Sequence, residues 1–454
     1  MCRCRTHTPR AHTAHTPRAP FISPRIAGKI QHRFRATARH PAFTRGRAAT
    51  QWQPGLIETA APDGRRCNCT ALQPNAVHPE SEGIPLHSHL HGEDALTERI
   101  NAEAAGRLFG TGEGPSHERV TLATDPESGL QAIIAIYSTS LGPAFGGCRY
   151  WAYPAESDAL TDALRLSQGM AYKNALADLP FGGGKAVILR TPAQTDRTKL
   201  FRAFGRMVES LGGRYITAED VGTTVEDMVA ARTQTRYISG MPREGTFGGN
   251  PSPKTAYGVF VGIEAAVRYV LDHNSLQGVS VAVQGLGSVG WDLCRQLHAA
   301  GARLIVADIH GAKAEQARAQ FGAQVVSTTA ITSVAADVFA PCALGAVITP
   351  VVAEGCQFKI VAGGANNQLA SLDEGDTLQR RGIFYAPDFL INAGGIISCA
   401  REYLGGAEEA AVLAEVARIR ERVFALAQRV EKSGLAPARE AVNWAQEKLA
   451  PLAP

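Results

Sequence analysis

Val281-Ala-Val-Gln-Gly285-Leu-Gly287-Ser-Val-Gly290 is the stretch that decides the fold. An apolar run enters a Gly-x-Gly-x-x-Gly hexapeptide, and a helical pattern over 289–299 leaves it. Each glycine answers a separate steric demand. Gly285 permits the tight turn, Gly287 lets the backbone approach a pyrophosphate, and Gly290 lets the helix pack on the strand. The first helical residues, Ser288 and Val289, then offer backbone amides and the positive end of the helix dipole to phosphates. A second strand, 303–308, ends on Asp308, at the distance where a ribose-binding acid belongs. An Asp there accepts hydrogen bonds from a ribose diol and repels a 2′-phosphate. The expected cofactor is therefore NAD rather than NADP; the alternative is a plain glycine turn followed by a surface Asp.

Working outward, strand and helix patterns alternate on both sides. Residues 118–124 and 130–137 read as a hairpin around the turn residues 125–129. Ser157 is placed to cap a helix running to about 177, after which a glycine turn, 182–184, leads into a short strand at 185–189. A helix over about 197–211 puts Leu200, Phe204, Met207, Val208 and Leu211 on one face. A short strand at 215–217 ends just before Glu219-Asp220. Gly248-Gly-Asn-Pro251 reads as a hinge, and a helix follows over 255–271. Alternation continues to about residue 387, with a strand at 360–362, and 407–432 and 437–449 read as helical. The fold class is α/β.

The chain has 454 residues, enough for two or three domains, and its 45% hydrophobic and 19% charged content is ordinary for a globular protein. No apolar run is long enough for a transmembrane helix, so no membrane partner is expected. The net charge of +4 is unevenly placed: residues 1–57 hold 11 Lys and Arg and no acid, leaving 35 basic against 42 acidic residues beyond them. That acidic remainder offers no broad basic face for nucleic acid. Residues 1–57 lack apolar periodicity and read as a disordered extension, with a transit peptide and an Arg-rich nucleic-acid arm as the alternatives. Nine cysteines in so long a chain do not form a disulfide framework, and a reducing, cytoplasmic compartment is the default. The Cys2/Cys4 and Cys67/Cys69 pairs, with His87, His89 and His91, lack the usual zinc spacing, so no metal is expected.

Three ionisable residues stand out ahead of the glycine loop. Lys173 ends a helix among small apolar neighbours, Lys185 follows three glycines into a strand, and Asp220 lies just beyond a strand end. Strand ends in α/β domains open toward the ligand cleft. Two lysines brought together lower each other's pKa, and desolvation adds to the fall, so one can serve as a base while the other holds an anion. Taken singly, each is an ordinary surface or capping residue.

Gly142-Pro-Ala-Phe-Gly-Gly-Cys-Arg149, Met170-Ala-Tyr-Lys-Asn174, Leu179-Pro-Phe-Gly-Gly-Gly-Lys185 and Ala218-Glu-Asp-Val-Gly222 resemble blocks of the Glu/Leu/Phe/Val dehydrogenase superfamily. Gly249-Asn-Pro-Ser-Pro253, Gly363-Gly-Ala-Asn-Asn-Gln368, Tyr385-Ala-Pro-Asp388 and Ile391-Asn-Ala-Gly-Gly395 continue the resemblance in the same order, most like its leucine dehydrogenase branch. The resemblance covers about 105–450. It implies reversible NAD-dependent oxidative deamination of an L-amino acid to a 2-oxo acid and ammonium. It further implies that Lys173, with the Gly146 amide, holds the substrate α-carboxylate, that Lys185 activates water, and that Asp220 exchanges the proton of the amino group. Thr255 and Asn367 would lie by the nicotinamide and substrate. The organisation expected is a disordered extension over 1–94, a substrate domain over 95–245, a Rossmann-type NAD-binding domain over 246–432, and a C-terminal helix in 433–454 packing back on the substrate domain. A homo-oligomer is expected.

The resemblance also bears on substrate. Glutamate dehydrogenases carry a Lys before the Gly-Gly of the first block, where this chain has Phe145. A buried second carboxylate with no cation is costly. Ala218, Ile396 and Cys399 match side-chain-pocket positions of leucine dehydrogenases and are apolar here. Leucine, valine and isoleucine are the substrates expected, with a phenylalanine-type enzyme as the alternative. A non-catalytic nucleotide-binding regulator is a further alternative, which the presence of Lys173, Lys185 and Asp220 opposes.

Overall fold

The computed structural model describes residues 117–192, 194–241, 248–343 and 345–450. The expected N-terminal extension, its Cys-x-Cys pairs and histidines, and the expected domain boundary at 245–246 lie outside these residues. Two sheets organise the rest.

The first is mixed. Its strands are β1 (Arg119–Asp125), β2 (Leu130–Ser138), β3 (Ala144–Phe145), β4 (Cys148–Trp151), β5 (Gly182–Leu189) and β6 (Tyr215–Ile216), in the order β1-β2-β5-β3-β6, with β4 also on β5. The hairpin closes where Asp125 faces Leu130. β3 and β4 run end to end along one edge of β5, with Phe145 opposite Gly183 and Cys148 opposite Ala186. Alternate residues of the central strands feed two cores. Ile133, Ala135 and Val187 pack with Ala159, Ala163 and Leu164 of helix α1 (Glu156–Leu176). Ile134, Ile136, Ala186 and Ile188 pack on the other face, against Leu200, Phe201 and Phe204 of α2 (Arg197–Glu209) and Met228 of α3 (Val225–Arg232). Both faces are covered, so the strands are apolar throughout rather than alternating.

The second sheet is fully parallel: β7 (Ser280–Gln284), β8 (Arg303–Ala307), β9 (Gln324–Val325), β10 (Val338–Pro341), β11 (Ile360–Val361) and β12 (Phe384–Tyr385), in the order β12-β11-β10-β7-β8-β9. This is a doubly wound, Rossmann-type sheet, and its strand order reverses between β7 and β10, beside the glycine loop. Helix α4 (Ser252–Leu271) leads into it, and α5 (Ser288–Ala299) follows the glycine loop. The helices α6 (Gly311–Phe321), α7 (Pro350–Gly355), α8 (Leu372–Arg380), α9 (Asp388–Ile391) and α10 (Gly394–Leu404) complete the domain. Three C-terminal helices follow, α11 (Glu409–Ala417), α12 (Ile419–Ser433) and α13 (Pro437–Leu449). Against α1, α13 bonds Gln446 to the Tyr172 hydroxyl at 3.3 Å and Lys448 to Asp178, while Arg422 of α12 donates to the Ala177 carbonyl at 2.8 Å. No helix among the described residues is long and apolar enough to cross a membrane.

Three local readings are corrected. Ser157 is not the cap of α1: the N-cap is Ala155, which makes no side-chain bond, and Glu156 and Asp158 complement the helix dipole instead. The 407–432 helix is two, broken at Arg418. Gly182–Gly184 is not a turn but the first part of β5. Glycine is poor in strands, and packing overrides that preference here. A Cβ on Gly182 would run into the Ser138 carbonyl, one on Gly183 into the Ala171 backbone, and one on Gly184 would lie 2.7 Å from the Tyr215 ring. Gly183→Ala is expected to cost about 1–3 kcal/mol or more, as overpacking does. Denaturant unfolding of the variant checks this, and wild-type stability would contradict the packing account.

Candidate active site

Because α1 lies directly on the glycine backbone of β5, Lys173 in its last turn and Lys185 in the strand are drawn into one space. The Lys185 side chain is 5% exposed and its ammonium forms an ion pair with Asp220 Oδ2. Asp220 sits in the loop after β6, where its amide donates to Thr223 Oγ1 at 2.9 Å. Lys173 Nζ donates to Asn366 Oδ1 at 3.1 Å, a bond that runs from α1 to the loop after β11 in the other domain. Asn366 Oδ1 also accepts from Asn392 Nδ2 at 3.0 Å. Asp388 closes the group, accepting from the Tyr385 hydroxyl at 2.8 Å and the Asn367 amide at 2.7 Å.

The electrostatics separate the two lysines. Burial lowers Lys173 to about 8, with Asp388 opposing the fall and Lys185 adding to it. Burial alone would raise Asp220, but Lys185 and Arg149 outweigh it and hold the carboxyl at about 2. Burial raises Asp388 above the usual carboxylate range, against the pull of Tyr385 and Lys173. The anticipated mutual lowering of the lysines is thus a smaller influence than desolvation for Lys173, while Lys185 has a carboxylate partner.

Gly146 reaches this site, but its amide donates across the sheet to the Ile216 carbonyl at 3.2 Å. That amide is therefore not free for a substrate carboxylate. Phe145 is fully buried and packs edge-on against Phe181 at 5.1 Å and tilted against Tyr403 at 6.1 Å. Ala218 and Cys399 belong to the same apolar cluster, and Ile396 packs on it. Burial, with Glu402 and Glu219 nearby, raises the Cys399 thiol to about 12.

In the second domain Gly285 has φ 94°, and a Cβ there would meet Ala343 at 2.9 Å. A Cβ on Gly290 would run into the Gly285 carbonyl, whereas one on Gly287 would meet nothing within 4 Å. The space over Gly287 is open, as backbone contact with a pyrophosphate requires. Gly287 is also the N-cap of α5 and has no side chain, so no cap competes for the first amides, those of Ser288 and Val289. Asp308 stands beside this loop, accepting from the Leu286 amide at 2.6 Å and the His310 amide at 2.8 Å. These residues fit a dinucleotide. Thr255 lies within α4, donating to the Pro251 carbonyl at 3.1 Å, and a Cβ on Gly395 would meet its hydroxyl at 2.5 Å. Asn367 is held at φ 51°, and it is the neighbouring Asn366 that meets Lys173. Asn366, Asp388, Asn392 and Arg149 were not singled out from the sequence. All four lie inside the blocks that carry the resemblance, and Asp388, an acid just beyond a strand end like Asp308, also stands out by its position.

Residues 117–237 match the dimerisation domain of the Glu/Leu/Phe/Val dehydrogenases, and residues 310–451 match the glutamate/leucine/phenylalanine/valine dehydrogenase domain. The leucine dehydrogenase of Thermoactinomyces intermedius is 46% identical over 343 residues, spanning 76% of this chain and 93% of that one. This chain belongs to the Glu/Leu/Phe/Val dehydrogenase family. As a family member it is an amino-acid dehydrogenase, acting on a CH–NH2 group with a nicotinamide cofactor. The phenylalanine dehydrogenase of Bacillus thermotolerans is 44% identical, spanning 73% of this chain and 88% of that one. The L-tryptophan dehydrogenase of Nostoc punctiforme superposes with a TM-score of 0.64 at 41% identity, spanning 75% of this chain and 98% of that one.

With Lys173 lowered to about 8, the carboxylate-binding role that the resemblance implies for it carries a pH dependence. An anion held by Lys173 needs it protonated, so affinity for a 2-oxo acid should fall as pH rises through about 8. Binding titrations between neutral and alkaline pH check this; constant affinity to well above that pH would contradict it.

Proposed function

We propose that the enzyme catalyses reversible NAD-dependent oxidative deamination of branched-chain L-amino acids, leucine, valine and isoleucine, to their 2-oxo acids and ammonium. One observation carries the substrate reading. The Phe145 cluster, with Ala218, Ile396 and Cys399, is apolar, and the ionisable groups facing Cys399 are the acids Glu402 and Glu219. A substrate side-chain carboxylate would meet desolvation and like charge there, while an aliphatic side chain is favoured by burial. The aromatic wall of Phe145, Phe181 and Tyr403 supports a second reading, phenylalanine, through edge-on ring contacts.

In this reading Lys173 Nζ, steadied by Asn366 and Asn392, binds the α-carboxylate. Gly146 lines the same position by its lack of a side chain, since a Cβ there would run into the Gly184 carbonyl. Asp220, ionised well below neutral pH, takes a proton from the substrate ammonium. Bound nicotinamide supplies the hydride acceptor for the substrate Cα. Lys185 Nζ, its own proton released to solvent, takes one from the water that attacks the imino carbon. Asp220 then returns its proton to the nitrogen, and the carbinol collapses to the 2-oxo acid, its hydroxyl proton leaving with the ammonia as ammonium. Gly285, Gly287 and Gly290, with the Ser288 and Val289 amides, would hold the pyrophosphate. Asp308 favours NAD by accepting from a ribose diol, and Thr255 and Asn367 flank the nicotinamide. A homo-oligomer is supported by the match to a dimerisation domain, and a cytoplasmic site by the cysteine usage.

Oxidation of NADH with ammonium and a panel of 2-oxo acids tests the pocket. The branched-chain acids should give the highest kcat/KM, the phenylalanine analogue less, and 2-oxoglutarate essentially none. Phe145→Leu should shift preference from valine toward leucine by about 10-fold at most. Phe145→Lys should admit 2-oxoglutarate at the expense of the leucine analogue. Equal use of 2-oxoglutarate and the leucine analogue by the wild type would contradict the pocket.

A further inference from the structure

Arg149 has no part in the chemistry above, yet it stands against it. It lies on β4, paired in register with Val187 of β5. Its Nη1 donates to Asp162 Oδ2 of α1 at 2.6 Å, and the same oxygen accepts from the Tyr153 hydroxyl at 2.6 Å. Its Nε is buried and makes no hydrogen bond. That Nε is 3.8 Å from Asp220 Oδ2, the oxygen that Lys185 holds. A hydrogen bond needs about 2.9 Å, so a movement of Oδ2 by roughly 1 Å would make one. A buried donor left unpaired is costly, and such a group calls for an explanation.

We infer that Arg149 is a positioning residue for the dehydrogenase reaction, keeping Asp220 ionised and offering it a second donor, so that Asp220 can leave Lys185 when Lys185 turns to the water. This rests on the role proposed for Asp220. Held by Asp162, which Tyr153 also bonds, the guanidinium is a fixed charge whose buried Nε–H is unpaired and lies 3.8 Å from the carboxylate. Lys185 alone could not both hold Asp220 and act on water. A second donor removes that conflict.

The charges around Asp220 come from every element packed on it. Lys185 faces it from β5, Arg149 from β4 and Lys173 from α1, while Glu219 is its chain neighbour. Cys148 and Tyr215 also face it, and burial raises the pKa of both, keeping them neutral. Asp162 acts through Arg149. Removing the Arg149 charge raises the proton affinity of Asp220. A rate that needs a base unprotonated then loses activity at a higher pH.

A cavity of about 340 Å³ reaches Arg149 from outside, lined also by Trp151, Asp162, Arg165 and Val221, so a shorter polar side chain there can be hydrated. The test is the pH profile of kcat/KM for the best amino acid of the panel, measured on the full chain. Arg149→Gln should move the acid limb up by about one pH unit or more and lower kcat, with NADH affinity and Tm kept. Arg149→Lys should restore the limb toward wild type. Asp162→Asn, which leaves Arg149 with Asp220 as its one close anion among the described residues, should move the limb the other way by less. An unmoved limb in Arg149→Gln, or an upward or absent shift in Asp162→Asn if Arg149→Gln does not fold, would overturn the inference. Asp220→Asn distinguishes the failures: if it stays active, the role of Asp220 itself is wrong; if it is inactive while those limbs fail as stated, only Arg149 is misassigned.

Discussion

The close approach of α1 to β5 is the constraint on which the site depends. With a side chain at Gly183 the helix could not lie on the strand, and Lys173 and Lys185 would be held apart. Overlapping demands act at Gly146, where a Cβ would meet the Gly184 carbonyl and, at 3.2 Å, Met170. Strand weakness is the cost of this arrangement, offset by the apolar residues that follow: Ala186, Val187 and Ile188 are all fully buried between two helical layers.

Two cations pressed together in a dry cleft would repel and shed protons unless carboxylates were supplied. The two domains supply one each. Asp220 comes from the first and pairs with Lys185, while Asp388 comes from the second and opposes the desolvation of Lys173. The Lys173–Asn366 bond joins the halves at the same point. The site is therefore an electrostatic joint: Lys185 is balanced within the first domain, and Lys173 where the second domain meets it.

What was legible in the sequence was what is local. The glycine loop after β7, the strand at 280–284 and the buried face of Leu200, Phe204, Met207 and Val208 each follow from neighbours within a few residues. At Gly182–Gly184 the sequence does not separate strand from turn, because glycine marks both, and the approach of Ala171 decides for the strand. The break at Arg418 has no glycine or proline to announce it. Lys173, Lys185 and Asp220 were nameable as residues, and their pairing was not. That Asp220 takes Lys185, that Asn366 rather than Asn367 meets Lys173, and that Arg149 leans on Asp220 are consequences of how two sheets are set side by side.

In the proposed mechanism the chemistry resides in the Lys185–Asp220 pair, and cofactor binding in the separate parallel sheet. Measuring kcat for reductive amination and NADH affinity together on Lys185→Met tests it most directly. kcat should fall by about 10²-fold or more with NADH affinity unchanged, because proton transfer is lost and the glycine loop is untouched. A variant that keeps more than about a tenth of wild-type kcat, or that loses NADH binding in step with turnover, would contradict it.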